Sequence, residues 1–324
     1  MLTFEQILQR LETAISDLQF NTPPQSLYDP ISYTLSMGGK RIRPALALMA
    51  CNIYNDNIDE SIKPALGLEV FHNFTLLHDD LMDNADVRRN QPTVHKKWND
   101  NTAILSGDAM LIVAYQLIAE TDKRYLKEVL DLFTQTALEI CGGQQYDMEF
   151  EQQQRVAEAD YLEMIRLKTA VLLACSLKTG ALIGGASDEE ANHLYDFGIN
   201  IGLAFQLEDD LLDVYGDTRV FGKNIGGDIL CNKKTFLLIN ALERASEDQL
   251  QTLTEWMQRK EYQPEEKINA FTLIYNELGM KGITEAKIKE YTERAFRHLD
   301  ALNVSSDKTA EIKRVCNLLM VRQS

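Results

Sequence analysis

The chain has 324 residues, of which 45% are hydrophobic and 25% are charged, and its formal net charge is −16. This composition is typical of a globular protein with a sizeable core, and the acidic balance argues against a nucleic-acid binder or a protein that docks on anionic lipid. The five cysteines are widely separated and form no CxxC pair, which favours the reduced thiols of a cytoplasmic protein over a disulfide framework or a zinc site.

Apolar residues recur at three- and four-residue spacing along most of the chain, which predicts helices rather than strands. The first apolar stripe consists of Phe4, Ile7, Leu8, Leu11, Ile15 and Leu18. Further helices are predicted over about 60–84, 98–120, 124–143, 159–184 and 188–215. The last two are apolar around most of their circumference, which is typical of interior helices. The N-terminal sequence does not resemble a targeting peptide, and no membrane span is predicted.

Glycine and proline residues punctuate these helices, and Ser187 with Glu190 predicts a capping box at the start of one of them. From 246 to 324 the chain is more charged, with shorter amphipathic helices separated near Pro264 and Gly279. No linker, low-complexity segment or solenoid repeat is apparent. We therefore expect an all-α fold, with residues 1–324 forming a single domain of about a dozen helices.

Two Asp-Asp-x-x-Asp sequences, at 79–83 and 209–213, each lie within a predicted helix. Because an α-helix turns once every 3.6 residues, the first and last aspartates of each motif share one face. Like charges at this spacing destabilise a helix unless something compensates them, and a hard cation such as Mg²⁺ would do so. One motif alone fits a solvated acidic surface equally well. Both motifs, however, follow strongly apolar runs, which favours a metal site.

Basic residues lie beside both acidic motifs. The sequence GGKRIRP at 38–44 places a glycine turn before three cations, and Arg88 and Arg89 follow the first acidic motif. Lys223, Lys233 and Lys234 follow the second. Glycines allow backbone N–H groups and long cationic side chains to approach a diphosphate. Each cation alone would be interpreted as a surface charge, but their placement indicates a site for a polyanion.

Taken together, these motifs resemble the trans-isoprenyl diphosphate synthases, the family of farnesyl and geranylgeranyl diphosphate synthases also called polyprenyl synthetases. The matching stretches follow the family's order over about residues 40–235: GGKRIRP (38–44), HNFTLLHDDLMDNADVRRNQPTVH (72–95), GDAML (107–111), GGQQYD (142–147), LKTA (167–170) and FQLEDDLLDVYGDTRVFGKNIGGDILCNKKT (205–235). The resemblance implies the isoprenoid synthase-like fold, a helical bundle around a central cavity.

The resemblance also implies an activity, a magnesium-dependent prenyl transfer that joins isopentenyl diphosphate head-to-tail (1′–4) to an allylic diphosphate. The allylic primer would be dimethylallyl, geranyl or farnesyl diphosphate, and the enzyme would be a homodimer. The proton would leave to the released diphosphate, so that no side-chain base is required. Glu208, which departs from the family's usual neutral or basic residue, is placed outside the site.

Site residues are implied by position in the family motifs. Three Mg²⁺ ions would be ligated by Asp79, Asp83 and Asp209, with Asp80, Asp210 and Asp213 in or near the coordination shells. The residues that would hold the allylic diphosphate are Arg88, Lys168, Lys223 and Lys233. Those that would hold the diphosphate of isopentenyl diphosphate are Lys40, Arg43, His72 and Arg89. Thr169 and Gln206 would face the developing allylic cation.

Product length is implied by the residues that precede the first acidic motif. Phe74 lies five residues before Asp79, roughly 7.5 Å along the helix axis, and Phe71 is one turn deeper. A bulky Phe74 beside the small Thr75 resembles synthases that stop at C20, whereas an aromatic residue at 75 would favour C15. We therefore expect geranylgeranyl diphosphate, with farnesyl diphosphate as the alternative. The competing interpretation makes both phenylalanines ordinary core residues.

Three other functions compete. A terpene cyclase shares the fold and the first acidic motif but would normally carry an Asn/Ser/Glu-type metal motif on the second helix. A ferritin-like di-iron protein would use the Glu-x-x-His pairs Glu69/His72 and Glu190/His193, yet its bridging glutamates are not apparent. A non-catalytic partner subunit would be expected to lose the acidic motifs, which this chain keeps.

Overall fold

The structure, a computed structural model, describes residues 1–216 and 225–320. Helices dominate the described chain, which confirms the all-α prediction. The first ten helices are α1 (Phe4–Ser16), α2 (Gln25–Ser36), α3 (Ile42–Tyr54), α4 (Asp59–Met82), α5 (Val94–Lys97), α6 (Asp100–Ala119), α7 (Leu126–Gln152), α8 (Glu158–Ile165), α9 (Val171–Gly184) and α10 (Asp188–Tyr215). Between α8 and α9 the chain forms a π-helical turn, Arg166–Ala170.

The last part of the described chain contains shorter helices, as predicted. They are Gly227–Leu230, Phe236–Arg244, Glu247–Gln258, Pro264–Glu277, Met280–Asp300 and Ser306–Met320. The sequence did not predict a small hairpin after α4, in which β1 (Val87–Arg88) pairs antiparallel with β2 (Gln91–Pro92). Two residues per strand are too few for a period-two pattern.

Two predicted helices differ from those observed. α7 was expected to end near residue 143 but continues to Gln152, so the GGQQYD sequence at 142–147 is helical. The helix predicted over 159–184 is interrupted by the π-helical turn at Arg166–Ala170. The predicted capping box is present in part, because the Glu190 backbone N–H donates to Ser187 Oγ at 3.3 Å. The Glu190 carboxylate accepts from the Ser187 hydroxyl at 3.1 Å.

Contacts divide the chain into two compact units. The first comprises Met1–Thr134, Cys175–Tyr195 and Leu302–Ile312, and the second comprises the described residues in between and after. Whether residues 1–324 act as a single domain stays a prediction.

Helices approach each other closely in the first unit. A Cβ atom at Gly180 would lie 1.9 Å from the backbone oxygen of Ala47, so α9 and α3 are in contact through backbone. At Gly67 on α4, a Cβ atom would lie 2.9 Å from the Ile118 side chain on α6. This close packing holds α4, which carries the first acidic motif, firmly between its neighbours.

The core of the second unit is formed by side chains of α8 and α10 and of the helices after residue 235. Leu207, Phe236 and Phe271 are among its fully or almost fully buried members. α10 carries the second acidic motif, and its apolar face packs into this core.

Two helical stretches have the length and apolar composition of a membrane span, Asp100–Ala119 and Glu158–Gly184. In the second, 78% of the most apolar window is buried, as in a core helix, whereas in the first only 39% is buried. Core helices pass the same test, so the stretches are weak evidence for a membrane span.

Candidate active site

The first acidic motif lies at the C-terminal end of α4, where its three aspartates face different surroundings. Asp83 is exposed and Asp79 is half-buried, whereas Asp80 is buried. Both carboxylate oxygens of Asp80 accept from the Arg88 guanidinium, whose Nε lies 2.8 Å from each. Asp80 therefore fixes Arg88, and Asp79 with Asp83 forms the pair one turn apart that the sequence predicts.

Three of the predicted diphosphate-binding residues meet near the N-terminus of α3. The Arg43 Nη1 atom lies 3.1 Å from His72 Nε2 on α4. Arg89 crosses the glycine turn before α3 and donates to the Gly38 carbonyl oxygen. A Cβ atom at Gly39 would lie 2.8 Å from the Arg89 guanidinium, and the φ of 145° at this position is one that side-chain-bearing residues rarely adopt, so glycine is favoured there. Lys40, in the same turn, is exposed.

The electrostatics of this cluster favour an anion. Burial, with the positive charges of Arg43, Arg89 and Arg88, holds the pKa of His72 well below its usual value, so the imidazole is neutral. Burial lowers the pKa of Arg43 to about 10, which leaves the guanidinium charged at neutral pH. Several cations and a neutral imidazole in an acidic protein form a ready site for a diphosphate.

The second acidic motif, on α10, belongs to a hydrogen-bonded chain of side chains. The Tyr161 hydroxyl donates to one carboxylate oxygen of Asp210, and Gln206 Nε2 donates to the other at 3.1 Å. Thr169 Oγ1 donates to Gln206 Oε1 at 3.1 Å. The predicted pair Thr169 and Gln206 is therefore brought together and tied to Asp210.

Acidic residues are crowded around this motif. The Asp228 backbone N–H donates to Asp213 Oδ2 at 3.0 Å. Burial, followed by the Asp228 charge, raises the pKa of Asp210 to about 7 and that of Asp213 to about 6. Lys233 Nζ lies 3.8 Å from Asp228 Oδ1 and supplies partial compensation. Burial and the neighbouring Asp228 charge thus disfavour the ionised forms of both carboxylates.

Lys168 lies in the π-helical turn, a backbone form that is rare and often found at functional sites. Its Nζ atom donates to Asp147 Oδ2 on α7 at 2.6 Å. α7 comes this close because residue 143 is glycine: a Cβ atom there would lie 2.5 Å from the Lys168 backbone nitrogen. Gly143 thus determines how the lysine-bearing turn meets α7.

Replacement of Gly143 by alanine is expected to lower the free energy of unfolding by about 1–3 kcal/mol, because the new Cβ must displace backbone. Gly142 is the matched control, since a Cβ atom there meets nothing within 4 Å. Gly142→Ala should leave stability unchanged or raise it by up to about 1 kcal/mol. Urea unfolding of both variants measures the difference, and equal stabilities would contradict the proposed close packing.

The residues expected to limit product length form an aromatic row in the first unit. The Phe74 ring lies 5.6 Å from that of Phe71, which packs edge-on against Phe133 of α7 at 5.1 Å. Tyr115 of α6 continues the row at 4.9 Å from Phe133. Phe71 and Phe133 are fully buried, whereas Phe74 and its neighbour Thr75 are half-buried. The structure thus presents Phe74 at the accessible end of a buried wall.

Some site residues could not be found from the sequence reasoning. Tyr161, Asp147 and Asp228 all contact predicted site residues. Asp147 and Asp228 lie in stretches that resemble the family, GGQQYD (142–147) and GGD (226–228), and this resemblance could have identified them as site residues. Lys223 lies outside the described residues.

The donor set suits a hard divalent cation. Among the residues that the structure describes, no three His, Cys, Asp or Glu side chains cluster as a complete metal site. Mg²⁺, however, commonly takes one or two carboxylates and completes its shell with water and substrate phosphates. A cation bound beside Asp210 and Asp213 would favour their ionised forms, which burial and the Asp228 charge disfavour. The residues therefore fit the metal that the sequence predicts.

Comparisons with known proteins show which family the chain is similar to. The family model for polyprenyl synthetase matches residues 24–274. A geranylgeranyl diphosphate synthase of Methanosarcina mazei is 41% identical over 236 residues, 72% of this chain and 73% of that protein. A geranylfarnesyl diphosphate synthase of Natronomonas pharaonis is 36% identical over 240 residues, 68% of this chain and 70% of that one.

The fold of the chain is similar to that of a solved structure. The crystal structure of a geranylgeranyl pyrophosphate synthase superimposes with a TM-score of 0.95 at 42% identity and covers 100% of both chains. This similarity confirms the isoprenoid synthase-like fold.

Proposed function

Because the chain belongs to the polyprenyl synthetase family, we propose that it is a geranylgeranyl diphosphate synthase that condenses isopentenyl diphosphate with an allylic diphosphate. The observation that carries the proposal is the anion cradle of Arg43, His72 and Arg89, located in the same unit as the Asp79–Asp83 pair. A cyclase or a non-catalytic subunit has no need to keep both this cradle and two Asp-Asp-x-x-Asp motifs.

Different side chains bind the diphosphates of the two substrates. Four side chains hold the diphosphate of isopentenyl diphosphate and so fix its double bond relative to the primer: Lys40, Arg43, His72 and Arg89. The family resemblance assigns the allylic diphosphate to Arg88, which Asp80 holds, and to Lys168, which Asp147 holds. Positive charge placed in advance around a departing diphosphate lowers the barrier to its ionisation.

The developing allylic cation needs electron-rich neighbours that do not attack it. Thr169 and Gln206 provide a hydroxyl and an amide oxygen, and their mutual hydrogen bond orients both. The neutral Tyr161 hydroxyl donates a hydrogen bond to Asp210. This bond holds the Asp210 carboxylate in place, so that it does not move toward the allylic cation. The proton lost at the end leaves with the diphosphate.

We further propose that the cofactor is Mg²⁺, held by Asp79 and Asp83 of the first motif and by Asp209 with Asp213 of the second, with Asp80 and Asp210 positioning neighbouring groups. When bound, the metal neutralises charge that builds on the diphosphate as it departs. The carboxylate pairs one turn apart and the raised pKa values of the second motif support this assignment.

The raised pKa values predict how metal affinity depends on pH. Asp213 must lose its proton to bind Mg²⁺, and the neighbouring Asp210 attracts the ion only when it is charged. Affinity should therefore be full above about pH 7 and fall as the pH drops through the two pKa values. Binding at about pH 6.5 should therefore release protons. Calorimetry in buffers of different protonation enthalpy, with Mg²⁺ and a substrate diphosphate, measures the release.

The variant Asp228→Asn serves as the comparison in this experiment. Its missing charge should lower both pKa values, so fewer protons should be released at the same pH. Equal heats in all buffers for the unsubstituted protein would contradict the expected protonation.

The function itself is tested by turnover. Purified protein is incubated with labelled isopentenyl diphosphate and dimethylallyl, geranyl or farnesyl diphosphate, with Mg²⁺ or with a chelator. We expect label from isopentenyl diphosphate to appear in longer linear diphosphates only when Mg²⁺ is present. Folded protein that elongates none of the three allylic diphosphates would contradict the proposal and favour a non-catalytic subunit.

We also propose that the protein is a homodimer. On α6, Leu105 and Ile112 lie seven residues apart on one face, with 60% and 61% of their surface exposed, and an exposed apolar face of this kind is where a second chain can pack. Light scattering should give twice the chain mass of 36.9 kDa, and a mass of one chain would contradict the proposal.

A cytoplasmic location is also proposed, and the five free cysteines support it.

A further inference from the structure

We propose that the buried ion pair between Arg41 and Glu69 positions the isopentenyl diphosphate cradle, and that Arg41 binds no substrate although it lies between two residues that do. The inference rests on the proposed function of Lys40 and Arg43. It separates the three cations of GGKRIRP into two that bind and one that holds the other two in place.

The Arg41 side chain is buried within the first unit, where protein groups occupy its guanidinium. Its guanidinium donates from Nη1 to Glu69 Oε1 at 2.6 Å and from Nη2 to the Leu35 carbonyl oxygen at 2.7 Å. The remaining nitrogen, Nε, donates to Glu12 Oε1 at 3.1 Å. Only 2% of the side chain is exposed. With each of its three nitrogens bonded to protein, the guanidinium is not placed to receive a diphosphate.

The backbone at Arg41 is as specific as its side chain. Its φ of 49° and ψ of 33° lie in the left-handed region, which residues other than glycine enter rarely. Arg41 immediately precedes α3, so this conformation decides how the glycine turn joins the helix. The anchored side chain therefore fixes the directions in which Lys40 and Arg43 leave the chain.

The Glu69 carboxylate supplies negative charge to three arginines, Arg41, Arg43 and Arg89. It is 2% exposed and also accepts from Asn73 Nδ2 at 2.9 Å, so its carboxylate is held in place from α4. Its charge supports the ionised forms of Arg43 and Arg89, opposing burial, which lowers the pKa of both. Removing Glu69 would leave a cluster of like charges that repel one another.

The pair can be replaced without creating a lone buried charge. Buried ion pairs exchanged for apolar residues of similar volume are often neutral or favourable for stability. The double variant Arg41→Met/Glu69→Met should therefore fold while it loses the anchoring bonds. A purely structural pair would then leave catalysis unchanged, whereas a positioning pair would not.

The test is steady-state kinetics with each substrate varied in turn, together with thermal unfolding. In the double variant we expect the KM for isopentenyl diphosphate to rise about tenfold or more. The KM for the allylic diphosphate should stay within about threefold. Arg10→Met is the matched control, because Arg10 forms an exposed ion pair with Asp59 at 3.1 Å in the same unit and should change neither constant.

The variant Arg43→Ala distinguishes failure of the positioning role of Arg41 from failure of the substrate-binding cradle itself. If Arg43→Ala raises the KM for isopentenyl diphosphate but the folded double variant stays within about threefold of the unsubstituted protein, the positioning role is wrong and the site stands. If Arg43→Ala also leaves that KM unchanged, the cradle itself is wrong, and the inference falls with it. Should the double variant not fold, Glu69→Gln, which keeps the shape and removes the charge, is measured in its place against the same thresholds.

Discussion

Asp79→Asn is expected to lower kcat by about 10²–10³-fold while the protein remains folded. Asp79 and Asp83 are the carboxylates of the first motif that share one helix face, and asparagine keeps the shape of the side chain but not its charge. Loss of the charge should weaken the metal that neutralises the departing diphosphate. The effect is therefore expected mainly in kcat, measured at saturating substrates and several Mg²⁺ concentrations.

The matched control for Asp79→Asn is Asp86→Asn. Asp86 lies seven residues further along and forms an exposed ion pair with Lys96 at 3.0 Å, its side chain 79% exposed. Exposed pairs contribute about 0–1 kcal/mol, so this variant should retain activity. Comparable kcat values for Asp79→Asn and the unsubstituted protein would remove Asp79 from the metal site.

Phe74→Ala is expected to lengthen the final product by about one C5 unit, from C20 to C25. Phe74 is the half-buried end of the aromatic row, and its removal opens space only as far as the next ring, that of Phe71. Phe71 is itself held edge-on by Phe133, so the wall behind it should remain. Mass spectrometry of products made with excess isopentenyl diphosphate measures the length.

Two further variants test the aromatic row, one by removing a second ring and the other by adding a ring. Phe71→Ala combined with Phe74→Ala should lengthen the product beyond that of Phe74→Ala alone, since a second ring is removed. Thr75→Phe should shorten it toward C15, because Thr75 is half-buried next to Phe74. An unchanged product for Phe74→Ala would make Phe74 an ordinary core residue and leave product length unexplained.

Much of the site follows from local periodicity. The spacing within 79–83 and 209–213 predicted aspartate pairs on one helix face. The structure places the second motif within α10 and the first at the end of α4, with Asp83 as the residue that caps the helix. The helix turn is a property of the backbone, so the sequence alone suffices for this part. The same reasoning predicted the all-α fold.

Contacts between residues far apart in sequence could not be predicted this way. Tyr161 bonds to Asp210 across 49 positions and Lys168 to Asp147 across 21. The π-helical turn that carries Lys168 adds one residue to a helix, which a 3.6-residue pattern does not register. Such features depend on packing, here on the absence of a side chain at Gly143.

Arg41 shows where a motif is misleading if its residues are treated alike. Lys40, Arg41 and Arg43 have similar charge, and nothing in their spacing separates them. The buried carboxylate of Glu69, 28 residues away, together with Glu12 and the Leu35 carbonyl oxygen, identifies Arg41 as an internal anchor. Tertiary contact therefore assigns a role that the local sequence leaves open.

The most direct test of the central claim is the length of the final product. The unsubstituted protein is supplied with Mg²⁺, farnesyl diphosphate and excess isopentenyl diphosphate, and the diphosphates are identified by mass after exhaustive reaction. A single linear C20 diphosphate is the predicted result. Recovery of unextended farnesyl diphosphate, or of C25 and longer chains, would contradict the assignment as a geranylgeranyl diphosphate synthase.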